Sequence, residues 1–260
     1  MTANEPAAAE QPLMAHLLEL RSRLLKALLG VGLAFVPLAI LGQDLYALVA
    51  APLIELLPAG TSMIATEVAS PFLAPIKLAA VAALVVAMPW VLYQIWAFVA
   101  PGLYRTEQRL VAPLLASSTL LFYLGIAFAY FAVLPFVFQF TIALAPDGVA
   151  VMTDITKYLD FVLALFVVFG LVFETPVAVV LLVWSGFVTP ASLAAKREYV
   201  LVGVFVVAAV LTPPDVVSQL MMAIPTYLLY ELGIVAARWL VPGSRQVELQ
   251  QQETDRLKQE

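Results

Sequence analysis

The chain has no cysteine and one histidine, His16. A disulfide framework, a thiol nucleophile and a cysteine-based metal site are therefore excluded, and a single imidazole leaves no basis for a zinc cluster or a histidine-based triad. Charge is also scarce. Only 12% of the 260 residues are Asp, Glu, Lys or Arg, against about a quarter in a soluble domain. The net charge of -5 is modest, and no basic run is long enough to hold nucleic acid. No P-loop and no catalytic cluster occurs, so neither an ATPase nor any other enzyme is expected, and no cofactor or metal is implied. Met1–Gln11 is polar and acidic, the opposite of a basic signal-peptide start, so the first apolar run is expected to stay as a membrane helix.

What fills the chain instead is apolar. Hydrophobic residues make up 63% and mean hydropathy is +0.99. Runs of that kind leave no polar face for water, so the solvent must be lipid. An all-α integral membrane protein follows, with six candidate spans: Arg23 to Gly42, Phe72 to Ala100, about Pro113–Phe140, Tyr158–Trp184, about Arg197–Leu211 and Asp215–Trp239. Thr212-Pro213-Pro214 joins the last two as a tight hairpin. The last two spans are expected to be short. Val200–Leu211 rises only about 18 Å as a helix, against roughly 30 Å of hydrocarbon, and Glu231 interrupts the sixth. Residues 1–22 are expected as a cytoplasmic N-terminal segment, 23–240 as the membrane domain and 241–260 as a mobile cytoplasmic tail.

Charge placement orients the six spans. Of the 13 lysines and arginines, Lys77 and Lys157 fall on one side and all the others on the opposite side. Positive charge marks the cytoplasm, so both termini are expected there. Pro89, Pro135, Pro176 and Pro225 lie inside spans and are expected to bend them. Trp90, Tyr93, Trp96 and Trp239 read as an interface belt. The connection from Asp44 to Pro71 begins with an apolar stripe that suits the membrane surface. No internal repeat is present.

A few polar residues need a reason. Glu174 sits well inside the fourth span, where a charge costs on the order of 3 kcal/mol, so it should face protein or water. It is a site for a partner helix, a proton-sensitive carboxylate, or a neutral carboxyl bonded within the bundle. Glu19 and Glu107 lie among arginines at the inner surface. They are either ordinary ion pairs, Glu19 with Arg23 one turn on, or carboxylates open to a cationic ligand. Asp215 suits a helix N-cap and Gln219 an interhelical amide. Glu231 reads as structural, pairing with Arg238 or reaching the headgroups.

The stretches HLLELRSRL, MIATEVASPF, YQIWAFVAPGLYRTEQR, FGLVFETPVAVVLL, VLTPPDVVSQ and AIPTYLLYELG, in that order between Pro12 and Arg238, closely resemble the TatC family, receptor subunits of the twin-arginine protein translocase. The resemblance implies a cupped, glove-shaped bundle of six helices in the bacterial inner membrane. It implies recognition of signal peptides bearing two adjacent arginines on folded cargo. Export would be driven by the proton-motive force, with TatA-type and TatB-type single-span partners and self-association in a larger complex. By position it assigns Glu19, Leu20, Arg21, Phe98 and Glu107 to the signal-peptide site and Pro52 to the outer loop. Glu174 becomes an intramembrane polar site, and Thr212, Asp215 and Gln219 contacts for partner helices. Ala209 and Val210 depart from the Met and Leu of some relatives. An alternative of another class, a proton-coupled transporter of a small cation, would use Glu174.

Overall fold

A computed structural model of the chain describes residues 7–54, 63–99, 111–144, 153–211 and 216–241. The described residues are helical apart from short connections: α1 (Ala7–Ile40), α2 (Gly42–Ile54), α3 (Ser70–Val99), α4 (Val111–Phe128), a π segment (Ala129–Val133), α5 (Leu134–Ala143), α6 (Ile155–Phe173), α7 (Thr175–Trp184), α8 (Pro190–Ala195), α9 (Arg197–Leu211) and α10 (Val216–Leu240). Among the described residues, five stretches are long and apolar enough to cross a membrane: His16–Ile40, Ser70–Val99, Ala112–Ala143, Ile155–Trp184 and Gln219–Leu240. Large aliphatic side chains such as Leu33, Val36 and Leu232 lie more than half exposed on these helices. Such surface suits acyl chains and not water.

Five of the six expected spans coincide with these stretches, with informative differences. Helix α1 begins at Ala7, well ahead of Arg23. Helix α9 has 15 residues, about 22 Å of rise, the short helix that the sequence predicts. Helix α10, expected to be short, instead runs unbroken through Glu231 for 25 residues. Pairing of that carboxylate removes the reason for an interruption. Trp96 is buried at 3% exposure and belongs to the core, not to an interface belt; Trp90 and Trp239 remain exposed.

Proline explains two of the irregularities. Pro135 has no N–H and its ring crowds the carbonyl four residues earlier. The backbone answers with a wider turn just before it, in which the Leu134 N–H donates to the Ala129 carbonyl. Pro176 likewise follows a break, where α6 gives way to α7 at Glu174. Pro89 and Pro225 stay inside α3 and α10.

The chain groups into two compact units, divided after Val49, Val68 and Thr119. In the first, α1 packs antiparallel on α3. Trp90 Nε1 donates to the Lys26 carbonyl at 2.9 Å, the missing side chain of Gly30 leaves room for the Trp90 ring, and Gly42 lies against Pro75. In the second, α10 packs on α7 and α9. The close approach at Gly233 leaves a built Cβ only 2.9 Å from Pro176 Cα. Gly125 of α4 lies against the Phe169 backbone, and Gly170 of α6 against the Phe122 ring. Small residues let membrane helices approach, since apolar burial gives no drive in lipid. After α7 the chain turns at Gly186, whose φ of 76° favours glycine.

Gly125→Ala should lower the thermal midpoint of the purified protein in detergent, because the added methyl meets backbone that cannot swing aside, an overpacking cost of about 1–3 kcal/mol. Gly203→Ala, with nothing within 4 Å of its built Cβ, should leave the midpoint level or raise it. Equal shifts would contradict this account of the packing.

Candidate functional site

Three rungs join α1 to α3. The His16 ring stacks on Phe98 at 4.3 Å between centroids. Arg23 Nη1 donates to Gln94 Oε1 at 3.4 Å, and Trp90 donates to Lys26 as described. Between the first two rungs sits Glu19, one turn ahead of Arg23, whose Nη2 donates to Glu19 Oε1 at 3.3 Å. The expected Glu19–Arg23 pair therefore forms. Gln94 was not singled out from sequence, yet it is 2% exposed and its carbonyl oxygen is where Arg23 anchors. A buried amide needs such a partner, and its only sequence signal is a lone amide within the aromatic stretch YQIWAF.

The chemistry of this corner follows from how Arg23 is shared. Its guanidinium divides between a buried amide and one oxygen of Glu19. The Glu19 side chain is 36% exposed, and a carboxylate has about four acceptor positions. One long contact leaves it room for a second, planar cation. Leu20 and Arg21 are exposed on the same helix, and Phe98 is half-buried. Glu107 lies outside the described residues.

Glu174 stands at the joint between α6 and α7. Its N–H donates to the Leu171 carbonyl at 3.1 Å and its own carbonyl receives the Ala178 N–H at 2.9 Å, so a tightened turn carries the chain past Pro176. The side chain is half-buried and its Oε1 oxygen is enclosed by protein. That placement is within protein surroundings, not an outward lipid-facing one.

The remaining assigned residues scatter. Pro52 lies in α2, but its side chain, like Thr212 and Asp215, is outside the described residues. Gln219 is described: its Nε2 donates to the Phe205 carbonyl at 3.0 Å, tying α10 to α9 as an interhelical amide. Ala209 and Val210 are exposed, Val210 at 80%. Glu231 takes a different hydrogen-bonding partner from the Arg238 of the sequence reading. Arg197 Nε and Nη2 donate to its two oxygens at 2.6 and 2.7 Å, a parallel fork between the start of α9 and α10. Tyr230 adds a hydrogen bond to the Leu193 carbonyl at 2.8 Å.

Sequence reasoning also missed Asp154. One of its oxygens caps α6 through the Thr156 and Lys157 N–H groups. The other accepts from Thr66, hydroxyl at 2.7 Å and N–H at 2.9 Å. Beside it, Ile64 and Asp154 form a parallel β-bridge. The Thr66 hydroxyl, followed by these backbone donors, holds the carboxyl down at about 2.

Comparison with known proteins places these features in context. The family model of the Sec-independent protein translocase protein (TatC) matches residues 15–225. The Sec-independent protein translocase protein TatC of Escherichia coli K12 is 55% identical over 238 residues, 92% of each chain. That of Haemophilus influenzae is 52% identical over 232 residues, covering 89% of this chain and 91% of its own. A crystal structure of the twin-arginine translocase receptor TatC superposes with a TM-score of 0.77 at 36% identity, over 86% of this chain and 98% of that one.

Because the Asp154 carboxyl lies below its ordinary 3.8, its contribution to stability is complete above that value and disappears as pH falls toward about 2. Thermal midpoints measured from pH 5 downward should drop across this window in the wild type, with a smaller drop in Asp154→Asn. Identical pH profiles would contradict the clamp.

Proposed function

The chain belongs to the TatC family of Sec-independent protein translocase proteins, and from that premise we propose that it is the receptor and core subunit of a twin-arginine translocase, with Glu19 as a carboxylate that receives the arginine pair of a signal peptide. The observation that carries the reading is the partly exposed Glu19 carboxylate, held by Arg23 through one oxygen at 3.3 Å on a helix pair fixed by Gln94 and Trp90. Preorganisation of this kind lowers the ordering cost of binding.

Guanidinium offers a planar fork of donors that fits a carboxylate through two parallel bonds, whereas ammonium is a compact, strongly hydrated point charge. Glu19, with Glu107 as the second carboxylate, favours two arginines over two lysines on that ground. Leu20 and Phe98 give the peptide apolar contact beside the charges. The distribution of lysine and arginine supports a cytoplasmic position for both termini and this corner, where a precursor first meets the receptor.

Transport of folded cargo needs further subunits and an energy source. TatA-type and TatB-type single-span proteins are the partners, with Thr212, Asp215 and Gln219, and Glu174 at the α6–α7 joint, as their contacts. The sequence has no nucleotide-binding loop, and the proton-motive force drives the cycle. Family membership favours this reading over a proton-coupled transporter built on Glu174.

A fluorescent peptide with paired arginines should bind the protein in nanodiscs more tightly than its paired-lysine counterpart. Glu19→Gln should weaken the arginine peptide by about ten- to a hundred-fold, the worth of one charged hydrogen-bonding group, and narrow the gap between the peptides. Equal affinity of the wild type for both peptides would overturn the proposal.

A further inference from the structure

Helix α1 carries a second feature, on a face beside the one that meets α3. Leu18, Arg21, Ser22, Leu25, Lys26 and Leu29 line a shallow open concavity of about 400 Å³. Their spacing of three and four residues puts them on one helical face. Two cations and a hydroxyl donor converge there, and no acidic side chain is among the described lining residues. The Glu19 carboxylate is already engaged by Arg23.

The same face continues away from the cations as an apolar ridge. Leu29, Leu33, Val36 and Ile40 follow at the same spacing and are 64%, 68%, 63% and 82% exposed. From Lys26 to Ile40 the ridge rises about 21 Å at 1.5 Å per residue, longer than the roughly 15 Å depth of one leaflet, so it lines the full length of an acyl chain. Cations therefore stand where the charge-free part of the span begins, with hydrocarbon-facing leucines running on from them. A cationic arginine-pair peptide is repelled by this face, while an anion with a hydrocarbon tail is matched at both ends.

We infer that this face of α1 is a binding site for an anionic phospholipid, with Arg21, Ser22 and Lys26 holding the phosphate and Leu25, Leu29 and the ridge beyond them holding an acyl chain. Glu19 borders this face three residues before Ser22, with its carboxylate held by Arg23, and the lipid site does not depend on the receptor reading. It also gives Arg21 a role other than direct contact with a cationic peptide.

Native mass spectrometry of the purified full chain tests it, with phosphatidylglycerol and phosphatidylcholine of identical acyl chains. Phosphatidylglycerol should be retained preferentially by the wild type, a comparison that needs no variant. Arg21→Gln with Lys26→Gln should weaken its binding about twenty-five-fold, a factor of about five for each cation near an anionic lipid. The charge-preserving pair Arg21→Lys with Lys26→Arg should retain it, as should Arg238→Gln, and free glycerol phosphate should not compete. The inference is overturned by equal retention of the two lipids, by undiminished binding in a folded double glutamine variant, or by full competition from glycerol phosphate. Crosslinking of the arginine-pair peptide to Ser22 and Leu25 in place of lipid would overturn it as well.

Discussion

Lipid cannot hydrogen-bond to a backbone, and this constraint governs the rest of the molecule. Each apolar stretch has to satisfy its own N–H and C=O groups, which makes it a helix. Each charge has to lie near an end of its helix, face protein, or find a partner. The described ion pairs obey that rule in two ways. Glu19 and Arg23 sit near the start of the first apolar window, with Arg23 anchored on the buried Gln94 amide. Glu231, inside the last helix, is neutralised by a two-pronged contact from Arg197, and α10 runs on through it.

The same constraint decides how proline acts here. In water a helix can simply end at proline; within a span the freed carbonyls need another answer. Before Pro135 the helix widens by one residue, and before Pro176 it tightens and restarts at Glu174. The second break places a carboxyl at a joint with one oxygen enclosed by protein. A carboxyl group and a backbone irregularity thus share one location, a combination that membrane proteins tolerate where protein surrounds it.

How much of this was legible in the sequence depends on the distance over which each feature is determined. Span positions follow from charge-free runs, so α3, α6 to α7 and α9 fall close to their expected limits. The Glu19–Arg23 pair is local, four residues apart, and was legible for the same reason. Thr66 with Asp154, Arg23 with Gln94 and Arg197 with Glu231 are separated by 88, 71 and 34 residues. No periodicity encodes such pairings, because they depend on which helices pack together. Asp154 could have been read as a cap from its place before an apolar run, though not as the partner of Thr66. Gln219 was legible as an interhelical amide but not as the partner of the Phe205 carbonyl. Family resemblance, and not patterning, supplied the roles of Glu107, Pro52, Thr212 and Asp215.

The proposed receptor role rests on one carboxylate, Glu19, which Arg23 holds through one oxygen and which in that proposal receives an incoming guanidinium. A double-mutant cycle at each peptide arginine addresses that contact directly, pairing Glu19→Gln with replacement of that arginine by glutamine and measuring the four affinities of each cycle in nanodiscs. The account predicts a coupling of about 1.5–3 kcal/mol between Glu19 and one of the two arginines, as for a hydrogen-bonded charge pair. Additive effects at both arginines, with no coupling to Glu19, would contradict it.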